Sequence, residues 1–205
     1  MDLVKTLFAT VLLPSFLLLT LPVAAQDQSA AFAASYAAEA KADYDGAIAA
    51  LRNGYSGTYE QNLRLGWLYF LDKNYTVASS YYQKAIGQRP YAIEPKFGLI
   101  KPLNALNLVV QMQGVYQAIL KIDPQNTQAN YWLGVILLNQ KAYAKAVSYF
   151  ERVVNLYPFD YDANLSLAWC YLNLGRKTDA RVLYGKALLV RPNDPTATSG
   201  LKRAQ

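Results

Sequence analysis

Four prolines recur at a fixed interval along the chain. They are 34 residues apart each time and are Pro90, Pro124, Pro158 and Pro192. A period of this length is the sequence signature of an array of small structural units, each of which packs against its neighbours. The interval divides most of the chain into four units, which are residues 59–92, 93–126, 127–160 and 161–194.

The same period brings similar side chains into register within the units. When each proline is counted as position 32, position 24 is always aromatic, with Tyr82, Tyr116, Phe150 and Tyr184. Position 7 is always leucine, with Leu65, Leu99, Leu133 and Leu167. In the first of these units, Leu63, Trp67 and Phe70 have the i, i+4, i+7 spacing of one helix face. The pattern predicts two α-helices in each unit, and the proline ends the second helix because the residue before a proline avoids the helical conformation.

This pattern resembles the tetratricopeptide repeat family, whose helical hairpins carry Leu-Gly, Tyr, Ala, an aromatic residue, Ala and a closing Pro. In the last unit the matching residues are Leu167, Ala168, Tyr171, Gly175, Ala180, Tyr184, Ala187 and Pro192. A further hairpin is expected at about residues 28–58, with a short second helix ending near Gly54. The resemblance implies an all-α fold, a right-handed superhelical solenoid of about five hairpins, in a single domain over residues 26–205.

The C-terminal residues predict a cap for this solenoid. Asp194-Pro195 is typical of a helix start, with an N-cap residue followed by proline at the first helical position. Residues 195–205 are polar and short, as expected of a helix that shields the last hairpin from solvent.

The unit at residues 93–126 departs from the pattern. It has Ile100 and Met112 where the family has small residues, so its two helices are predicted to stand further apart. It also has Pro102 in mid-helix, where proline removes one backbone hydrogen bond and predicts a kink or break near Lys101. Two interpretations stay open: the unit is a spacer with no role, or it widens the groove for a partner.

The N-terminal residues have the features of an export signal. Residues 6–26 carry no charge, are rich in Leu and Phe, and include the small-residue sequence Val23-Ala24-Ala25. We therefore predict a secretory signal peptide at residues 1–25, cleaved after Ala25, and a periplasmic or secreted location. The alternative is an uncleaved membrane anchor, because an uncharged run of this length is just long enough to span a bilayer.

The composition argues against catalysis. The chain has no histidine and a single cysteine, Cys170, so His-based triads, His or Cys metal clusters and intramolecular disulfides are excluded. Cys170 lies in an apolar helical stretch and is predicted to be a buried thiol. We predict no enzymatic activity, no cofactor and no metal. The net charge of +6 could attract an anionic partner, but ordinary solubility also explains it, and export argues against nucleic acid.

The family resemblance also predicts a binding surface. In the family, positions 2, 5, 9, 12 and 13 of the first helices face a concave ligand groove. The residues carried over as the lining of an aromatic groove are Leu63, Trp67, Phe70, Phe97, Lys101, Tyr131, Leu138, Trp169 and Leu172. Trp67 and Trp169 share position 9 and are the predicted anchors, because tryptophans in pockets are frequent binding hot spots. The Lys and Asn with which some relatives bind a peptide carboxylate are absent from positions 5 and 9.

The predicted function is a non-enzymatic scaffold or adaptor in the cell envelope that binds an extended or helical segment of another protein. The alternative is a glycan-handling accessory module of a polysaccharide secretion or cell-wall system, with Trp67, Tyr131 and Trp169 as stacking faces. Self-association, in which a second copy covers the aromatic stripe, also stays open. Contact with a membrane is expected only through an uncleaved N-terminal segment.

Overall fold

The computed structural model describes residues 23–205, with side chains from Gln28 onwards, and all regular secondary structure in this range is α-helical. The helices are α1 (Val23–Glu39), α2 (Tyr44–Arg52), α3 (Tyr59–Leu71), α4 (Tyr75–Gln88), α5 (Glu94–Ala105), α6 (Val109–Ile122), α7 (Thr127–Asn139), α8 (Tyr143–Leu156), α9 (Tyr161–Asn173), α10 (Lys177–Val190) and α11 (Pro195–Arg203). The predicted signal peptide, residues 1–25, lies outside the described residues apart from its last three. Within residues 23–205, every helix is too short or too polar to cross a membrane.

The helices pack in chain order as five hairpins. These are α1/α2, α3/α4, α5/α6, α7/α8 and α9/α10, and the second helix of each hairpin also packs against the first helix of the next. The last helix, α11, packs on α10 and α9 and so covers the end of the array. The prediction of an all-α repeat solenoid is therefore confirmed.

The same turn closes every hairpin. The residue that precedes the second helix by one or two positions has a positive φ in all five turns, and these residues are Ala42, Lys73, Asn107, Lys141 and Gly175. The residue that follows it donates its backbone N–H to the carbonyl of the residue five positions earlier at 2.8–3.0 Å, as Asn74 does to Tyr69. This bond satisfies a carbonyl at the end of the first helix that has no helical partner. Repetition of one turn places all five turns along one edge of the solenoid.

The recurrent prolines are tied to the next hairpin through their carbonyl groups. The side chains of Asn130 and Asn164 are fully buried and donate to the carbonyls of Pro124 and Pro158, each at 3.0 Å. In the second of the four sequence units the donor at this position is the ammonium of Lys96. A buried side-chain amide needs such a partner, so the residue at position 4 of one unit holds the proline at position 32 of the unit before it.

The core depends on an aromatic ring that fits between small residues of two hairpins. A Cβ atom added at Gly66, in the same hairpin as Tyr82, would lie 3.0 Å from the Tyr82 ring. A Cβ atom added at Gly98, in the next hairpin, would lie 2.2 Å from it. In the same way, a Cβ atom added at Gly134 would lie 2.8 Å from the Phe150 ring of the same hairpin. For close packing, the residues that contact the ring must therefore have small side chains, both at position 8 of the same hairpin and at position 6 of the next.

The hairpin at residues 93–126 is packed less closely than the others. Helices α5 and α6 contact one another over fewer residues than the helices of the other hairpins, as the bulky Ile100 and Met112 predict. Of the predicted kink or break near Lys101, the break is wrong, because α5 continues without interruption through Pro102 to Ala105. The helix lacks the bond that residue 102 would otherwise donate to the carbonyl of Gly98, but the N–H of Leu106 still donates to the carbonyl of Pro102 at 3.0 Å, so the helical pattern continues past the proline.

Replacement of Gly98 by alanine is expected to destabilise the protein by about 1–3 kcal/mol, because the new methyl group would overlap the Tyr82 ring. Tyr82 is 3% exposed and is held on its other side by Gly66, so it cannot move away. The matched control is Gly114→Ala in α6, where an added Cβ has nothing within 4 Å. That change should stabilise the helix by up to about 1 kcal/mol. Urea denaturation followed by circular dichroism measures both effects, and equal effects would contradict this description of the core.

Candidate functional site

The largest described pocket lies on the face formed by the first helices of three successive hairpins. It has a volume of about 690 Å³. Its walls come from positions 2, 5, 6, 8, 9 and 12 of these helices, and the residues are Leu63, Trp67, Glu94, Phe97, Gly98, Ile100, Lys101, Asn104, Gln128 and Trp132. Tyr82, Met112 and Tyr116 reach it from the second helices. We call it the central pocket.

Two smaller pockets continue the central pocket on either side. One, of about 340 Å³, lies between α1 and α3 and is lined by Phe32, Tyr36, Glu60, Leu63, Arg64 and Trp67. The other, of about 310 Å³, lies at α7 and α8 and is lined by Thr127, Gln128, Tyr131, Trp132, Val153, Tyr157 and Asp160. Trp67 lines both the first and the central pocket, and Trp132 lines both the central and the last. The three pockets therefore form one run that is divided by two indole rings.

The central pocket exists because two first helices stand apart. Among the described helices, α3 packs against α5 and α7 packs against α9, but α5 and α7 do not pack on each other to the same extent. At this junction position 6 is Trp132, whereas the corresponding residues at the other junctions after α4 are Gly98, Ser166 and Gly200. A tryptophan cannot fit against the buried ring of Tyr116 as glycine fits against Tyr82, so α7 is displaced from α5.

The Trp67 ring is held in a fixed orientation by α1. Its Nε1 donates to Oε1 of Glu39 at 2.7 Å, and Oε2 of Glu39 pairs with Nη1 of Arg64 at 2.5 Å. Arg64 is only 7% exposed, and the Tyr36 ring covers its guanidinium group at 3.8 Å. An ion pair this deeply buried fixes the geometry of both partners. The indole is thus oriented before any ligand arrives.

Lys101 adds a positive charge to the central pocket. Its ammonium nitrogen lies 5.2 Å from the Trp67 ring centre and 6.0 Å from that of Phe70, which is within range of a cation–π interaction. Glu94 lines the same pocket from the same face of α5, seven residues earlier. The pocket therefore combines an apolar surface with one charge of each sign.

Comparison with known families identifies the repeats. Three family models, each described as tetratricopeptide repeat, match residues 62–91, 115–148 and 137–204. The chain is a tetratricopeptide repeat protein. The sequence pattern and the helical hairpins described above agree with this assignment at every hairpin that the models cover.

Solved structures share this tetratricopeptide fold at low sequence identity. A crystal structure of MamA has a TM-score of 0.70 at 20% identity and covers 81% of this chain and 92% of its own. A tetratricopeptide repeat protein from Parabacteroides merdae has a TM-score of 0.73 at 17% identity, and the alignment covers 87% of this chain and 72% of the other. YrrB is described as a tetratricopeptide repeat protein with an unusual peptide-binding site. Its TM-score is 0.66 at 20% identity, and the alignment covers 82% of this chain and 88% of YrrB. No curated protein sequence matches the chain.

The structure places the residues predicted for the groove in different surroundings. Leu63, Trp67, Phe97 and Lys101 line the central pocket, and Tyr131 lines the pocket beside it. Phe70 packs on Trp67 with ring centres 5.8 Å apart, while Leu138 and Leu172 are partly buried against the core. Trp169 lies under the capping helix, with the Arg203 guanidinium 4.8 Å above its ring. The run of three pockets thus contains one of the two predicted tryptophan anchors.

The second tryptophan in the run is one that the sequence pattern missed. Trp132 is 44% exposed, and its ring centre is 5.3 Å from that of Tyr131 in an edge-on arrangement. Position 6 is not among the family positions that face the groove, so only a comparison of position 6 between units could have revealed it. It reaches the pocket because the junction at which it lies is open.

The single cysteine of the chain does not reach this surface. Cys170 is fully buried, and burial raises the pKa of its thiol to about 12, so it is protonated at neutral pH. No group of three or more potential metal-ligating side chains occurs within the part of this tetratricopeptide repeat protein that the structure describes. What the surface offers is apolar area, two indole rings and single charges, which is the chemistry of binding.

Replacement of Glu39 by alanine is expected to lower the unfolding free energy by about 2–4 kcal/mol, because Arg64 would remain buried without its carboxylate. The matched control is Glu60→Ala. Its pair with Arg89, at 2.8 Å, has side chains 50% and 58% exposed, and such pairs contribute about 0–1 kcal/mol. Urea denaturation measures both variants. A loss for Glu39→Ala no greater than that for Glu60→Ala would mean that the carboxylate does not hold Arg64 in solution.

Proposed function

We propose that this tetratricopeptide repeat protein is a non-enzymatic scaffold or adaptor in the cell envelope, and that it binds a segment of another protein along the run of three pockets. The observation that carries the proposal is the continuity of these pockets, which share Trp67 and Trp132 as dividing walls. The fold itself supports a protein-interaction scaffold. YrrB, which shares the fold, is described as having a peptide-binding site.

The dimensions of the run suit a chain segment better than one compact small molecule. The central pocket of about 690 Å³ is in the range of sites that bury a ligand group, about 300–1,000 Å³. The two flanking pockets are smaller and suit single side chains. A segment that presents apolar side chains at regular spacing, in an extended or helical conformation, would place one in each pocket.

The charges of the central pocket give the segment a direction. Lys101 lines one side of the pocket, and Glu94 lies about two turns earlier on the same helix. A segment with an acidic residue on one side of its apolar anchor and a basic or amide residue on the other would satisfy both. The preset orientation of Trp67, held through Glu39, lowers the conformational entropy lost on binding.

The N-terminal sequence supports the proposed location in the cell envelope. Residues 1–25 have the uncharged run and the small residues before Gln26 that a signal peptidase recognises. A chain exported in this way meets its partner outside the cytoplasm. N-terminal sequencing of the protein from its own cell distinguishes cleavage after Ala25 from retention of the segment.

The binding proposal is tested by placing a photo-crosslinking amino acid at Lys101 or at Trp132 in the protein made by its own cell. Both positions line the central pocket, and neither holds another side chain by a hydrogen bond. The matched control is Val182, which is 57% exposed on α10 and lies outside the run of pockets. We expect the same second protein to be captured at Lys101 and at Trp132, and not at Val182.

Other results of this crosslinking would contradict the proposal. Capture of only the chain itself at both pocket positions would assign the run of pockets to self-association. Capture of a second protein at Val182 alone would move the binding surface to the second helices. Loss of all capture in excess soluble polysaccharide would favour a glycan ligand.

A further inference from the structure

The turn between α5 and α6 differs chemically from the corresponding turns of the neighbouring hairpins. It reads Leu106-Asn107-Leu108-Val109-Val110 and carries no charge. The aligned segments of the hairpins beside it are Asp72-Lys73-Asn74-Tyr75-Thr76, Gln140-Lys141-Ala142-Tyr143-Ala144 and Leu174-Gly175-Arg176-Lys177-Thr178. Each of those carries one or two basic side chains. The backbone is the same in all four, so the difference lies in the side chains alone.

The apolar side chains of this turn are exposed to solvent. Val110 is 82% exposed, Leu106 39%, Val109 38% and Leu108 36%. They occupy one short segment at the end of a hairpin, so they form a protrusion and not a groove. Contiguous exposed apolar side chains on a folded protein commonly mark a contact surface.

Basic side chains flank this protrusion along the same edge of the solenoid. On the side after the turn, Lys141 lies in the next hairpin turn, Lys145 in the first turn of α8, and Lys177 at the start of α10, and all three are exposed. The carboxylate of Asp179 on this side is paired with Arg176 at 2.7 Å. On the side before it, Lys73 lies next to the exposed carboxylate of Asp72. The edge therefore presents an apolar turn with excess positive charge on its C-terminal side.

We propose that this edge docks on a membrane surface that contains anionic lipids, with Leu106–Val110 inserted among the lipid headgroups. Lysines spaced over two successive hairpins match a plane of diffuse negative charge, and the apolar turn beside them gains from burial at the headgroup boundary. This contact is distinct from the membrane anchor considered for the N-terminal segment. It also uses a different surface from the run of pockets and does not rest on the proposed adaptor function.

A second group of exposed apolar side chains lacks this charge pattern. Tyr157, Phe159 and Leu189 are 57%, 67% and 73% exposed and lie at the opposite edge, where the second helices end. The carboxylates of Asp160 and Asp194, which cap α9 and α11, lie beside them and outnumber the single nearby guanidinium group of Arg191. Exposed apolar area next to carboxylates does not suit an anionic surface, so this group provides the matched control.

The test measures binding to vesicles of phosphatidylcholine with and without about 30% phosphatidylglycerol by co-sedimentation. The chain from Gln26 onwards is used, because both hydrophobic clusters lie entirely within it and the apolar N-terminal run would itself bind vesicles. The variants are Val110→Asp, the pair Lys141→Asn and Lys145→Gln, and the control Phe159→Asp. Aspartate at residue 110 lies in the first turn of α6, where a negative charge favours the helix.

The chain should bind the anionic vesicles and not the neutral ones. Val110→Asp and the double lysine variant should each weaken binding by about tenfold, and Phe159→Asp by less than about twofold. The proposal is overturned if the unchanged chain does not bind anionic vesicles, which would leave the edge to a protein partner. It is also overturned if Val110→Asp and Phe159→Asp weaken binding equally. Circular dichroism of each variant shows that the fold is retained.

Discussion

The array depends on how one aromatic ring is enclosed in each of the second helices α4, α6, α8 and α10. Tyr82 lies between Gly66 of its own hairpin and Gly98 of the next, and neither glycine has room for a Cβ beside the ring. Tyr184 approaches Gly200 of the capping helix in the same way. Because one ring contacts two hairpins, it sets both the spacing within a hairpin and the distance to the next. Repetition of this contact at an interval of 34 residues is what makes the chain a regular solenoid.

The candidate site arises where this contact is altered. Tyr116 has Ile100 at the position of the first glycine and Trp132 at the position of the second, so its neighbours are bulky on both sides. Helix α7 therefore does not close against α5, and the central pocket of about 690 Å³ lies between them. The same hairpin also carries the exposed apolar turn with Val110. One atypical hairpin among regular ones thus accounts for both surfaces proposed to bind partners.

The fold could be predicted from the sequence because its determinants are periodic. The prolines, the aromatic ring at position 24 and the small residues opposite it are all visible as a repeat, and so is the departure at Ile100 and Met112. Four of the predicted groove residues line the central pocket for the same reason: they occupy positions that face one way on successive first helices.

The parts that could not be predicted depend on contacts between elements. Trp169 has the right repeat position, but the Arg203 side chain of α11 lies over its ring, and no periodic signal indicates where a capping helix packs. Trp132 has the wrong position for the groove and enters it because a junction is open. The break expected near Lys101 does not occur, because Pro102 and Leu103 are buried and tertiary packing outweighs the loss of one backbone hydrogen bond.

A crystal structure of the Trp132→Ser variant tests most directly whether this side chain holds the central junction open. Serine is the residue at the same position of the following hairpin, Ser166, so the substitution restores a side chain that the array already accepts. The account predicts that α7 moves against α5, as α9 lies against α7, and that the pocket becomes much smaller than 690 Å³. A pocket that keeps its size, or grows by the volume of the lost indole, would contradict it.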